Sequence, residues 1–136
     1  MSIDDLLGAW SYRAFRDEPD LRKPFNDLRF ATAKLVLEGN EGGRLTGLLK
    51  SEGWGSLDEW GLTLEGSFDG AEFMLRGHNV IEGEDWIYDY RGRLLPHWPN
   101  AVNARDVLTG SVIRTEARIK DKMQAGEHAT FIAVKR

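Results

Sequence analysis

Apolar and polar residues alternate one by one through much of this chain. Leu62, Leu64, Gly66 and Phe68 interleave with Thr63, Glu65 and Ser67, and Phe73, Leu75, Gly77 and Asn79 interleave with Glu72, Met74, Arg76 and His78. A period of two is that of a strand with one buried face, so the first set of each is expected to point inward. The pattern recurs in eight runs: Ala9 to Arg16, Arg29 to Glu38, Arg44 to Lys50, Gly61 to Phe68, Glu72 to Val80, Asp85 to Leu94, Val107 to Ala117 and Ala129 to Lys135. Short links such as "EGNEGG", Asp69-Gly70 and "EGE" at Glu82 to Glu84 carry the residues that tolerate a left-handed backbone, as hairpins require.

Only "SIDDLLG" reads as helix, one or two turns long, with Ser2 as its cap and Asp4 and Asp5 at the positive end of its dipole. Without longer helices there are no crossovers and no parallel sheet. The predicted fold is therefore an all-β, eight-stranded antiparallel up-and-down barrel with a short N-terminal helix, a closure that leaves no open edge. Five glycines inside strands, Gly47, Gly66, Gly77, Gly92 and Gly110, suit the sharp coiling of a small barrel. The alternative is a β-sandwich or jelly roll.

Composition narrows the function classes. At 136 residues, 41% hydrophobic and 29% charged, the chain fits a single domain, 1–136, with its own core. A net charge of −4 and no dense basic cluster argue against a nucleic-acid partner. No apolar run is long enough for a membrane-spanning helix, the start does not read as a signal peptide, and there is no cysteine; the expectation is a cytoplasmic protein with no membrane partner.

The chemistry concentrates in "EDWIYDYRGRLLPHWPNA", Glu84 to Ala101. Strand pleat puts Trp86, Tyr88 and Tyr90 on one face and Asp85, Ile87 and Asp89 on the other. The prolines that follow are expected to hold His97 and Trp98 over the barrel mouth, so that these five residues, with Asn79, would surround a small guest. The competing reading makes the rings plain core. Arg114 and Glu116 share the parity of Leu108, Gly110 and Val112. Facing in, they would pair with each other or with a ligand carboxylate; a one-residue bulge would turn them out. His78, His97 and His128 are scattered without chelate spacing, so neither a metal nor any other cofactor is expected. The "GRLTG" and "GSFDG" glycines precede no helix and make no phosphate loop.

"GAW", Gly8-Ala9-Trp10, at the start of the first strand resembles the Gly-x-Trp motif of the lipocalins and the wider calycin superfamily, which includes avidin-like and fatty-acid-binding barrels. The tail ending "FIAVKR" is similar to that of small bacterial lipocalin-like proteins. The resemblance implies that Trp10 plugs a closed barrel end beneath a basic residue of the last strand, Lys135 or Arg136.

Three functions are compatible with such a barrel. The first is binding of a small hydrophobic or aromatic molecule in its cavity. The second is a cyclase or isomerase acting on a polyketide- or terpenoid-like substrate, with Tyr88 and His97 as its proton-handling groups. The third is a structural module with a filled core, dimerising through outward apolar residues such as Met74, Val80 and Ile87, and a homodimer is expected. Ligand identity is not encoded in any of these patterns.

Overall fold

The computed structural model describes residues 2–39, 42–52, 61–81, 83–95, 105–115 and 125–136, residue 30 by its backbone only. The strands are β1 Gly8–Arg16, β2 Arg29–Gly39, β3 Arg44–Ser51, β4 Gly61–Phe68, β5 Phe73–Ile81, β6 Glu84–Leu94, β7 Val107–Arg114 and β8 His128–Lys135. Each pairs antiparallel with its sequence neighbours, and β8 returns to β1, with Trp10 opposite Lys135 and Arg16 opposite Ala129. The result is the closed up-and-down barrel that the alternation predicts. The last part of the predicted seventh strand, Glu116 and Ala117, lies outside the described residues; β7 ends at Arg114, and Thr115 still donates its N–H to the Ile87 carbonyl.

Closure at this size forces backbones together. A Cβ on Gly66 would sit 1.8 Å from the Met74 carbonyl oxygen, and one on Gly110 would sit 2.0 Å from that of Arg91. Neither position has room for a side chain, so glycine is what lets β4–β5 and β6–β7 coil tightly enough to close.

The helical start is a 3-10 turn, Ile3–Leu6, too short to settle into an α-helix. Asp4 N–H donates to the Ser2 hydroxyl at 3.2 Å and Ser2 N–H donates to the Asp5 carboxylate at 3.1 Å, a reciprocal cap. A second 3-10 turn, Phe25–Leu28, interrupts the link between β1 and β2, and its Phe25 ring stacks on Phe15 at 4.6 Å. The alternation carried no sign of it, because its four residues contribute no buried side chain to mark a period.

In an up-and-down barrel the starts of odd strands and the ends of even strands share one end. Here that end is a sealed floor. Leu6 and Trp10 are fully buried, and the Trp10 indole N–H donates to the Leu6 carbonyl at 3.0 Å. Lys135 places its ammonium 4.8 Å from the Trp10 ring centroid and donates to the Leu7 carbonyl. The cation over the ring is therefore Lys135. Arg136 corrects the other assignment: it is one residue out of parity, lies outside, and binds the Ser11 hydroxyl and both oxygens of Glu52.

The interior is apolar, and the outer face carries exposed Arg13, Glu65, Arg76, Arg91 and Arg93. That is the inverse of a barrel whose outside faces lipid. Among the described residues no helix is long and apolar enough to cross a membrane.

Candidate functional site

The middle of the barrel is filled with rings. Tyr12 from β1 stacks on Phe131 from β8 at 5.4 Å, and Tyr90 from β6 meets Phe131 edge-on at 6.1 Å and Tyr12 at 6.4 Å. The three rings are buried together in one layer that spans the barrel from β1 and β8 to β6. Burial pushes the Tyr12 phenol well above its ordinary range, with the neighbouring Tyr88 adding to it; burial does the same to Tyr90, followed by Tyr12 and Tyr88. Both phenols stay protonated at neutral pH.

Above this layer the character changes. Tyr88 on β6 and Arg114 on β7 are direct cross-strand partners. Both are buried, Arg114 to 1% exposure, so the inward reading of its parity is the one the fold adopts. The Arg114 Nε donates to the Tyr88 hydroxyl at 3.4 Å, and its guanidinium carbon lies 5.5 Å from the Tyr88 ring centroid. Its Nη1 donates to the Glu127 carboxylate at 2.5 Å. A guanidinium at an apolar interior position costs several kcal/mol unless it is paired in this way, roughly the stability of a weak domain.

A pocket of about 490 Å³ opens over this pair at the mouth. Tyr88, Val112 and Ala129 give it an apolar wall, while Arg114, Glu127 and His128 give it a polar one; Arg16, Asp17 and Glu18 reach its rim. Two rim carboxylates are already engaged. Asp17 accepts from the Thr130 hydroxyl at 2.7 Å. Glu18 accepts from the Asp20 N–H and from Lys23, both at 3.0 Å, and the Asp20 hydrogen bond first, then Lys23, hold its carboxyl below the usual carboxylate range.

The structure divides the sequence-derived site. Trp86, Tyr88 and Tyr90 do share the inward face and are buried, but only Tyr88 lines the mouth pocket; Tyr90 belongs to the ring layer beneath. Asn79 does not face the interior as its parity predicted. It is exposed at the rim, donating to the Gly61 carbonyl at 2.7 Å and accepting from the Val80 N–H at 2.8 Å, which ties β5 to the start of β4. Inward parity has no meaning where no opposite wall covers the residue.

His97 and Trp98 lie outside the described residues. The strand ends that flank their segment, Leu94 and Val107, are at the Trp10 end of the barrel: Val107 pairs with Val134, which in turn pairs with Ser11. The expected grouping of His97 and Trp98 with Trp86 and Tyr88, and the joint proton-handling role of Tyr88 and His97, therefore lie outside the described residues; what is described is that the flanking strand ends are at the opposite end of the barrel from Arg114.

Glu116 lies outside the described residues; among those described, the acid paired with Arg114 is Glu127. Its signal was present in "EHATF". Ala129, Phe131 and Ala133 are the inward residues of β8, so Glu127 has inward parity two residues earlier. Among the described residues no three His, Cys, Asp or Glu side chains converge as a metal site. Comparison of the chain with models of known protein families, and with curated proteins, gives no match.

Proposed function

We propose that the barrel binds a small molecule with an apolar or aromatic body, seated in the mouth pocket against Tyr88, Val112 and Ala129. The observation that carries this reading is the combination of an open space of about 490 Å³ with an apolar wall and a buried, oriented guanidinium. Apolar walls with a few convergent polar groups are the usual make-up of small-molecule sites. The filled ring layer limits how deep a guest sits, so the ligand occupies the mouth end of the barrel rather than its whole length. The Trp10 plug beneath Lys135 supports the resemblance to lipocalin-type containers, closed at one end and loaded from the other.

Native mass spectrometry of protein purified from its own host tests the reading first, since a co-purifying small molecule names the ligand class. Thermal shift and calorimetric titration against a panel of aromatic and aliphatic compounds follow. Binding is expected, and Tyr88→Ala is expected to weaken it about tenfold or more through loss of the aromatic wall. A panel without a single binder, or binding indifferent to Tyr88→Ala, would reject the pocket.

A further inference from the structure

The ion pair at the mouth is buried on one side only. Arg114 is 1% exposed, whereas the side chain of Glu127 is 44% exposed and reaches in from the turn before β8 rather than from the barrel wall. Its backbone is fixed independently: the Glu127 carbonyl accepts from the Arg114 N–H at 3.0 Å, and the Gly126 N–H donates to the Arg114 carbonyl at 2.7 Å. The carboxylate can therefore rotate into water without disturbing a strand. The guanidinium cannot leave, because it is walled by Tyr88 and its own strand.

Resting on the reading that the mouth pocket takes a small apolar body, we propose that its ligand is a monocarboxylate, and that Glu127 is an internal stand-in which the ligand's carboxylate displaces from Arg114. The chemistry fits on three counts. Arginine presents paired N–H donors that match a carboxylate, and the Tyr88 contact at 3.4 Å holds that fork in place. The pocket lies directly over the pair, so an incoming acid meets the guanidinium with its hydrocarbon along Val112 and Ala129. The rim carboxylates of Asp17 and Glu18 are held by Thr130, Lys23 and the Asp20 N–H, and their remaining negative charge disfavours a dianionic phosphate over a single carboxylate. Meanwhile Glu127 keeps the buried cation compensated in the empty protein, so the site exists before the ligand arrives.

The test uses isosteric pairs on the full chain: 2-naphthoate against 2-naphthamide, and decanoate against decanamide, titrated calorimetrically into wild type, Arg114→Gln, Arg114→Lys and Glu127→Gln, each checked for a cooperative melt. The acids are expected to bind about tenfold more tightly than their amides. Arg114→Gln should erase that preference and Arg114→Lys should keep part of it. Glu127→Gln should raise the acid-to-amide affinity ratio about threefold to tenfold, because the Glu127 carboxylate no longer competes with the ligand for the guanidinium. Equal binding of acid and amide by wild type overturns the monocarboxylate assignment while leaving the pocket intact. A lowered ratio in Glu127→Gln overturns the stand-in role, and failure of all four compounds to bind counts against the pocket itself.

Discussion

The two ends of the barrel are built from the same alternating strands and end in opposite chemistry. At the floor, Trp10 and Leu6 are fully buried, and the inward cation Lys135 lies over a ring and donates to a backbone carbonyl. At the mouth, the inward cation Arg114 is answered by an acid that faces solvent, beneath an open pocket. Among the described residues, each end contains an inward basic residue on an aromatic ring. What differs is the partner: a backbone carbonyl at the floor, and at the mouth a carboxylate whose side chain is 44% exposed. The ring layer of Tyr12, Tyr90 and Phe131 separates the two.

The largest expected effect comes from unsealing the floor. Trp10→Ala should cost about 3–5 kcal/mol, measured by urea unfolding, since it empties a fully buried indole and frees the Leu6 carbonyl. A loss below about 1 kcal/mol would mean that the floor is no plug, and the contrast between the ends would disappear.

How much of this contrast was legible in the sequence depends on what alternation encodes. It reports which side of a sheet a residue faces, and that is why the strands, the shared face of Trp86, Tyr88 and Tyr90, and the inward option for Arg114 were all readable. Whether the far wall covers that residue is a different matter, decided by shear and strand length, and Asn79 shows the gap. Some of what was missed lay within reach. Lys135 has the parity of Phe131 and Ala133, which selects it over Arg136, and the same rule extended backwards finds Glu127. Counting also places the strand ends that flank His97 and Trp98: β6 is an even strand, so it must end where β1 begins. The size of the mouth pocket had no sequence signal, because an empty volume is set jointly by many residues from four strands and the turns between them.

The ring layer allows a test that sharpens the boundary. Tyr12 and Tyr90 each hold their proton in the fold beyond the point where the unfolded chain loses it, near 10.0. Above that pH the unfolded state binds fewer protons than the native one, so stability falls as pH rises from about 10 towards the folded values and is unaffected below about 9. The slope approaches roughly 1.4 kcal/mol per pH unit for each such tyrosine. Urea midpoints across this window should fall less steeply in Tyr12→Phe and Tyr90→Phe than in wild type, by about half. Equal slopes in all three would place these hydroxyls in contact with water and move the boundary of the sealed region below them.

Removing the mouth cation should matter least to stability, and here the comparison is at its most exposed. Arg114→Met keeps an unbranched side chain of similar length at an interior position and leaves Glu127, already 44% exposed, to be hydrated. Replacing a buried charge with a well-packed apolar group is often neutral or better, because the desolvation cost vanishes along with the pair. The expected change is under about 1 kcal/mol, set against the 3–5 kcal/mol of Trp10→Ala. Acid binding should meanwhile be lost. If instead Arg114→Met costs as much as Trp10→Ala, the guanidinium is a structural keystone like the indole, and the mouth is a second floor rather than a site. If stability holds and the acid preference disappears, a cation that the fold does not need is retained where only a ligand would use it.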